Sequence, residues 1–324
     1  MMKSSELLFK ADMINIKNYS FNPSWGKIVA SFENGIFDSF EFCNGDEIFY
    51  FQYIKRDIAD EVATLEKNKY FDIVTPFDYG GFYYSSNEML EKGLKEFEKK
   101  CKQENIISAF FRFNPLIKQD FNMLKNYIDI IKVQEHILID LKSDYKKEFS
   151  SEKRRDINKQ KRYDYTFIKN DSLNNFYNVY IETMGRINAN EYFLFDKEIL
   201  NKLLNYGKIF SINFDNNIVN SVFILEDDLN IYYFLGGGLT SYLKYGFNSL
   251  LLELVSDYYS QSKNIFLLGG GKDGLYKFKK RYSNQTAPFY IGKKIFDKEI
   301  YDKLTIKTKN KNNNFFPQYR KKII

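Results

Sequence analysis

The chain has 324 residues and a mass of 38.6 kDa; 44% of it is hydrophobic, 28% is charged, and the mean hydropathy is −0.47. At roughly 100–200 residues per domain this suggests two soluble domains, and with 17 Gly and only 5 Pro the chain is neither collagen-like nor low-complexity. One histidine (His136) and two cysteines (Cys43, Cys101) in no motif spacing argue against a Ser-His-Asp triad, a zinc site, a thiol oxidoreductase or a disulfide scaffold, and two free thiols fit a reducing cytosol.

The N-terminal stretch carries only Leu7-Leu8-Phe9 as an apolar run, short of the roughly 7–15 residues of a signal peptide. No stretch approaches the roughly 20 apolar residues of a membrane span, so a cytoplasmic protein is expected. Strands are predicted at Lys27–Phe32, Phe37–Phe42 and Glu47–Tyr53, separated by Asn34-Gly35 and Asn44-Gly45, the strongest local hairpin signal. Tyr70–Val74 reads as a strand and Thr75 to Gly81 as a loop. A helix over Ser86–Glu104 follows, capped by Ser86, with Met89, Leu90, Leu94 and Phe97 on its apolar face. Ile106–Phe113 and Gln134–Leu141 are further strands. His136, on the second of these, has no partner cluster and reads as a structural histidine.

The second half begins near Ser143 with a charged helix over Asp144–Arg162. A helix over Asn174–Met184 presents the stripe Phe176, Tyr177, Tyr180, Ile181, and a third runs over Lys197–Asn205. Lys208–Phe214, Ile218–Leu225 and Leu229–Leu235 form an antiparallel meander, followed by Gly236-Gly237-Gly238. A helix over Phe247–Gln261, the strand Asn264–Leu268, Gly269-Gly270-Gly271, a short helix over Gly274–Tyr282 and a last strand, Pro288–Ile295, complete the order. Strand, glycine loop, helix, strand occurs at 70–113 and again at 229–268, which suggests two similar halves. The domain expectation is 1–142, 143–302 and a basic tail, 303–324.

Net charge is +6, and the tail carries it. Lys303, Lys307, Lys309, Lys311, Arg320, Lys321 and Lys322 have no acidic neighbour after residue 302, while the rest holds 41 basic and 42 acidic residues. Such a tail suits RNA or weak contact with an anionic membrane surface, or is simply a solvated end; nothing suggests DNA. Lys153, Arg154, Arg155, Lys159, Lys161 and Arg162 form a second basic cluster, and Arg155, Lys159 and Arg162 share one helix face. A solvated face and a phosphate-binding face are both open. The glycine runs likewise read either as tight turns or as places where backbone N–H groups meet phosphate or an oxyanion. No GxxxxGK[ST] or GxGxxG occurs.

Four stretches in order resemble the FemAB-like branch of the GNAT N-acyltransferase superfamily. Asp72-Ile73-Val74-Thr75-Pro76-Phe77-Asp78-Tyr79-Gly80-Gly81 is similar to its DI-x-T-P-Y-x-Y-G-G loop, with Phe77 for tyrosine. Phe176-x-x-x-Tyr180-x-Glu182-Thr183-Met184-x-Arg186 is similar to its F-x-x-x-Y-x-E-T-M-x-R helix. Leu267-Leu268-Gly269-Gly270-Gly271 and Asp273-x-Leu275-x-x-Phe278-Lys279-x-x-Tyr282-Ser283 resemble its glycine-ended strand and its D-x-L-x-x-F-K-x-x-F-S segment.

The resemblance implies an α/β (α+β) fold of two tandem GNAT-like domains, each a mixed, largely antiparallel sheet flanked by helices. It implies transfer of an acetyl or other acyl group to the amine of an amino sugar or cell-surface polysaccharide precursor, nucleotide- or lipid-linked. Acetyl-CoA is the expected co-substrate, with no permanently bound cofactor and no metal. The alternatives are aminoacyl transfer from tRNA to a peptidoglycan precursor, and an inactive GNAT-like binding module. Lys279 and Asp78 are the expected catalytic pair. Tyr79, Gly80, Gly81, Arg112, Arg186 and Phe278 are expected to line the acceptor cleft. Gly236, Gly237, Gly238, Tyr245, Gly246 and Asn248 are expected at the donor, although Leu243 and Asn248 depart from the [QR]-x-x-G-x-[GA] donor loop. Arg186 is expected to face the same cleft as Tyr79, Gly80 and Lys279.

Overall fold

Of the two Asn-Gly pairs, only Asn44-Gly45 makes a hairpin. Gly45 takes φ +62° and joins β1 (Ile36–Asn44) to β2 (Glu47–Asp57) in a register that pairs Asn44 with Glu47. Asn34-Gly35 instead links a helix to β1. The first half of the strand expected over Lys27–Phe32 lies in α1 (Pro23–Val29) and the second half is turn, because the Asn22 side chain accepts from the Ser24 N–H and Pro23 begins the first turn of a helix. Trp25 buries completely on this helix.

The structure is a computed structural model and describes residues 18–62, 64–308 and 315–320. The remaining strands are β3 (Phe71–Val74), β4 (Tyr83–Tyr84), β5 (Ile106–Arg112), β6 (Asp129–Asp140), β7 (Tyr165–Lys169), β8 (Gly207–Phe214), β9 (Asn217–Glu226), β10 (Asn230–Gly238), β11 (Ile265–Gly269) and β12 (Thr286–Ile295). Among the described residues they form one twelve-stranded sheet in the order β1-β2-β3-β5-β12-β6-β11-β10-β9-β8-β7, with β4 beside β2. Most neighbours are antiparallel. The exceptions are β3 with β5 and β10 with β11.

Those two parallel pairs are the two copies of the internal repeat. The first is crossed by α2 (Asn87–Gln103) and the second by α7 (Asn248–Tyr259), so each is a β-α-β unit. At the middle of the sheet the two halves exchange strands: β12 completes the first half against β5, and β6 completes the second against β11.

The other helices are α3 (Phe121–Leu124), α4 (Ser151–Gln160), α5 (Leu173–Arg186), α6 (Lys197–Leu203), α8 (Asp273–Lys280) and α9 (Lys298–Lys307). The charged helix expected over Asp144–Arg162 begins later than predicted, after a 3-10 turn at Tyr145–Lys147, because Ser150 caps α4. On α5, Phe176 and Tyr180 are buried, but Ile181 is 41% exposed; the inward face continues through Val179 and Thr183 instead. Gly236 to Gly238 continue β10 rather than forming a loop. Helix α9 crosses residue 302. Beyond it Tyr319 is fully buried, and Arg320 donates to Asp72, itself 1% exposed and also paired with Arg56. Arg320 therefore does not belong to a solvated tail; Lys309, Lys311, Lys321 and Lys322 lie outside the described residues. No described helix is long and apolar enough to cross a membrane.

Candidate active site

The site begins where two strands part. β10 and β11 pair over only three positions, Asn230 with Ile265 to Tyr232 with Leu267. Beyond them β10 bulges between Tyr233 and Leu235, and β11 bulges against β6 between Leu267 and Gly269. A bulge bends its strand and ends regular pairing. At this opening stands Lys279 from α8, 6% exposed, its Nζ donating to the Gly270 carbonyl at 2.9 Å and lying 4.9 Å from the Tyr233 ring centre. Gly269 has φ +77°, and a Cβ built on it would lie 3.6 Å from Lys279 Nζ and 3.7 Å from Tyr79 Oη. A small space is thus bounded by an ammonium, a phenol and a residue with no side chain.

Tyr79 reaches this space from the first half. Its loop is clamped at several points. Gly80 donates to the Arg112 carbonyl at 2.8 Å, Asn114 donates to the Gly80 carbonyl at 2.9 Å, and the Trp25 indole donates to the Phe77 carbonyl at 3.2 Å. Gly81 takes φ +132° as the loop leaves the site. Arg112, expected to bind substrate, is committed elsewhere. Its guanidinium donates to Glu33, to the Tyr192 hydroxyl and to the Thr75 carbonyl, at 2.5, 2.7 and 2.5 Å. That pairing holds its pKa above the usual guanidinium value against its burial. Arg112 positions the loop from behind.

Asp78 adopts φ +74°, and its carboxylate accepts the Tyr19 hydroxyl at 2.5 Å. Burial pushes its pKa up to about 6, against the pull of Tyr19, Arg112 and Lys279. Burial likewise pushes Lys279 down to about 8, against the attraction of Asp78. The two groups therefore have pKa values brought toward neutrality from opposite sides, the condition under which acid–base and electrostatic chemistry runs near pH 7. Sequence reasoning missed Tyr19, Gln134 and His136 here. His136 Nδ1 lies 3.0 Å from Tyr79 Oη, and its ring stacks on Phe289 at 4.6 Å between centres. A lone histidine on an alternating strand was the only available signal.

The other expected residues lie apart from this cluster. Phe278 points to another side of α8, where Lys153 Nζ sits 4.0 Å from its ring centre and 2.8 Å from Ser249 Oγ. Arg186 is exposed at the end of α5 and donates to the Gly238 carbonyl at 2.8 Å and to Thr240 Oγ1 at 3.0 Å. It thus ties α5 to the far end of β10 rather than joining Tyr79 and Lys279. Gly236 to Gly238 cradle no open space: Cβ atoms there would meet Tyr233, Thr183 and Asn220 at 2.7, 2.1 and 2.4 Å. They are small so that neighbouring side chains can pack on β10.

Gly246 has φ +74° before α7, and its backbone is approached by Gln160 Nε2. Gln160 Oε1 accepts the Leu250 N–H at 2.9 Å, so the first turn of α7 is already capped from α4. The Asn248 side chain accepts from Asn220 Nδ2, and Tyr245 packs against Phe214 and Tyr163. On α4, Lys153 is buried, Arg154 donates to the carbonyls of Lys147 and Phe149, and Lys161 pairs with Glu253. Arg155, Lys159 and Arg162 are exposed and make no ion pair among the described residues.

Neither a family model nor a curated protein sequence matches the chain. Solved structures do. FemX aligns with a TM-score of 0.69 over 93% of this chain and 98% of its own, at 12% identity. The C-terminal domain of a candidate lysylphosphatidylglycerol synthetase from Agrobacterium fabrum aligns with a TM-score of 0.59 over 92% and 94%, at 11% identity. L-PGS from Bacillus licheniformis aligns with a TM-score of 0.55 over 79% and 84%, at 16% identity. The long mixed sheet with its paired β-α-β units and central strand exchange gives this chain the fold of FemX.

Proposed function

We propose that the chain is an N-acyltransferase that moves an aminoacyl group from tRNA to an amine on a small cell-wall or surface-polysaccharide precursor. The observation that carries the reaction class is the Lys279 ammonium, buried beside Asp78 and Tyr79 around the space left by Gly269. The acceptor nitrogen attacks the donor carbonyl carbon, and the C=O π pair moves onto oxygen. Lys279 stabilises that oxyanion, while Asp78 takes the proton the nitrogen sheds, directly or through water. Collapse re-forms the carbonyl, breaks the ester C–O bond and returns the proton to the leaving hydroxyl. No covalent enzyme intermediate is needed, in keeping with a buried Cys101 and a Cys43 remote in sequence from every site motif.

Two observations favour a tRNA-borne donor over acetyl-CoA. The first turn of α7, where a diphosphate would meet free N–H groups, is capped by Gln160. On α4, whose last turn supplies that cap, Arg155, Lys159 and Arg162 present unpaired positive charge suited to a polyanion. The fold of two lysylphosphatidylglycerol synthetase structures agrees with aminoacyl chemistry. Bulk tRNA should bind at low salt, and the triple reversal Arg155→Glu, Lys159→Glu, Arg162→Glu should flatten the slope of log affinity against log salt by roughly two to three contacts. Tight acetyl-CoA binding with no tRNA affinity would overturn the donor assignment and return the reading to acetyl transfer.

A further inference from the structure

The glycine triplet at the end of β11 has a use that chain reversal alone does not explain. Gly269 leaves room between Lys279 and Tyr79. Gly270 leaves room for a side chain from β6: a Cβ there would lie 2.3 Å from Gln134 Nε2. Gly271 then directs its N–H at Gln134 Oε1, 3.4 Å away. This contact assigns the Gln134 amide, with its oxygen toward Gly271 and its NH₂ toward His136 Nε2, also 3.4 Å away. An NH₂ group can only donate. His136 Nε2 must then accept, so the single proton of the neutral ring resides on Nδ1. That Nδ1–H points at Tyr79 Oη, 3.0 Å away, and occupies the oxygen as acceptor. The Tyr79 O–H is left to turn toward the space beside Lys279.

We propose that Gly271, Gln134 and His136 form a one-way chain of hydrogen-bond donors that presents the Tyr79 hydroxyl as a second donor to the oxyanion, beside Lys279. This rests on the acyl-transfer reading for its purpose, but its geometry stands alone. Tyr79 is the catalytic residue of the chain; His136 and Gln134 position it. The surroundings keep both rings in the required protonation state. Burial and the Lys279 charge push His136 down to about 4, with only Glu135 pulling the other way, so the imidazole is neutral at pH 7. Burial and the negative charge of Asp78 hold the Tyr79 phenol well above its ordinary pKa, so it keeps its proton. Phe289, stacked on the imidazole, prevents the ring from turning.

The chain's single histidine makes the test direct, because ¹⁵N-histidine labelling yields one imidazole spin system from the unmodified protein. At pH 7 the long-range ¹H–¹⁵N spectrum should show a protonated Nδ1 and an unprotonated Nε2. Gln134→Glu puts an acceptor against Nε2 and should invert the tautomer, so that Nδ1 accepts the hydrogen bond of the Tyr79 O–H and turns it away from the space beside Lys279. Turnover should then fall by roughly 10²-fold, as for loss of one oxyanion donor, with KM unchanged. In a Tyr79→Phe background the same change should cost nothing further. A wild-type proton on Nε2, or an equal loss from Gln134→Glu with and without the Tyr79 hydroxyl, would overturn the proposal. The tautomer is read without substrate. A correct tautomer in a protein that transfers from neither aminoacyl-tRNA nor acetyl-CoA would sink the functional reading and leave the relay in place.

Discussion

Lys279→Met is expected to change how stability depends on pH, by an amount the site geometry sets. In the folded protein burial lowers the Lys279 pKa from 10.5 to about 8. Two and a half pKa units at 1.36 kcal/mol each come to about 3 kcal/mol that the folded state loses by keeping this ammonium charged. The sign follows from proton binding. Below pH 8 both folded and unfolded chains hold the proton, and the penalty is complete. Between 8 and 10.5 the folded chain has released its proton and the unfolded chain has not, so wild-type stability rises relative to a chain without the group. Methionine keeps most of the volume and removes the titration. Urea unfolding of both proteins at pH 7 and pH 10.5 should therefore show their difference shifting by about 3 kcal/mol in favour of wild type. Losing the hydrogen bond to the Gly270 carbonyl adds an offset that does not vary with pH. Titrating groups out of reach of Lys279 are common to the two proteins and cancel; Asp78 and His136 do feel its charge, and Asp78, raised further once the ammonium is gone, adds a smaller change near pH 7. Turnover by the methionine variant should be lower by roughly 10²–10³-fold. A stability difference that stays constant from pH 7 to 10.5, or near-native turnover, would refute the picture of a buried functional cation.

The rate should need ionised Asp78 and protonated Lys279, so kcat/KM should rise through about pH 6 and fall through about pH 8, with these values belonging to the coupled pair. Asp78→Asn should erase the acid limb of whatever activity remains, and a profile flat from pH 5 to 9 in wild type would exclude the pair. Gly269→Ala should abolish turnover because its Cβ enters the space between Lys279 and Tyr79, and its φ of +77° should cost about 1–2 kcal/mol of stability. Gly274→Ala, where a Cβ meets nothing within 4 Å, serves as the control, and equal activity in the two variants would show the space to be unused. Arg112→Met leaves Glu33, 5% exposed, without its cationic partner and with only the Tyr192 hydroxyl donating to it, and should lower unfolding free energy by about 3–5 kcal/mol; a loss under about 1 kcal/mol would show that the loop is held by something else.

The sequence by itself determined the elements whose cause is local. Asn44-Gly45 makes its hairpin and Ser86 caps α2, because a left-handed turn and an orphan N–H are satisfied within a few residues. The two β-α-β repeats also followed from periodicity and glycine placement. Sequence reading failed where a neighbour distant in the chain chose the outcome. Lys27 to Val29 is the exception, a local signal misread: Asn22 and Pro23 start a helix there, and Trp25 buries on it. Gly236 to Gly238 looked like a ligand loop but are small to admit Thr183 and Asn220. Arg112 and Arg320 looked available, yet each is held by a carboxylate, Glu33 and Asp72, that no spacing connects to it. The site divides in the same way. The resemblance carried by the motif loop and the Phe-Lys segment is what identified Asp78, Tyr79 and Lys279 as candidates. What only tertiary structure decided is their meeting, because β10 and β11 must part and strands from both halves must interleave before Tyr79, Gln134, His136 and Lys279 share one space. Direction along a hydrogen-bond chain is a property of that packing, and no one-dimensional pattern encodes it.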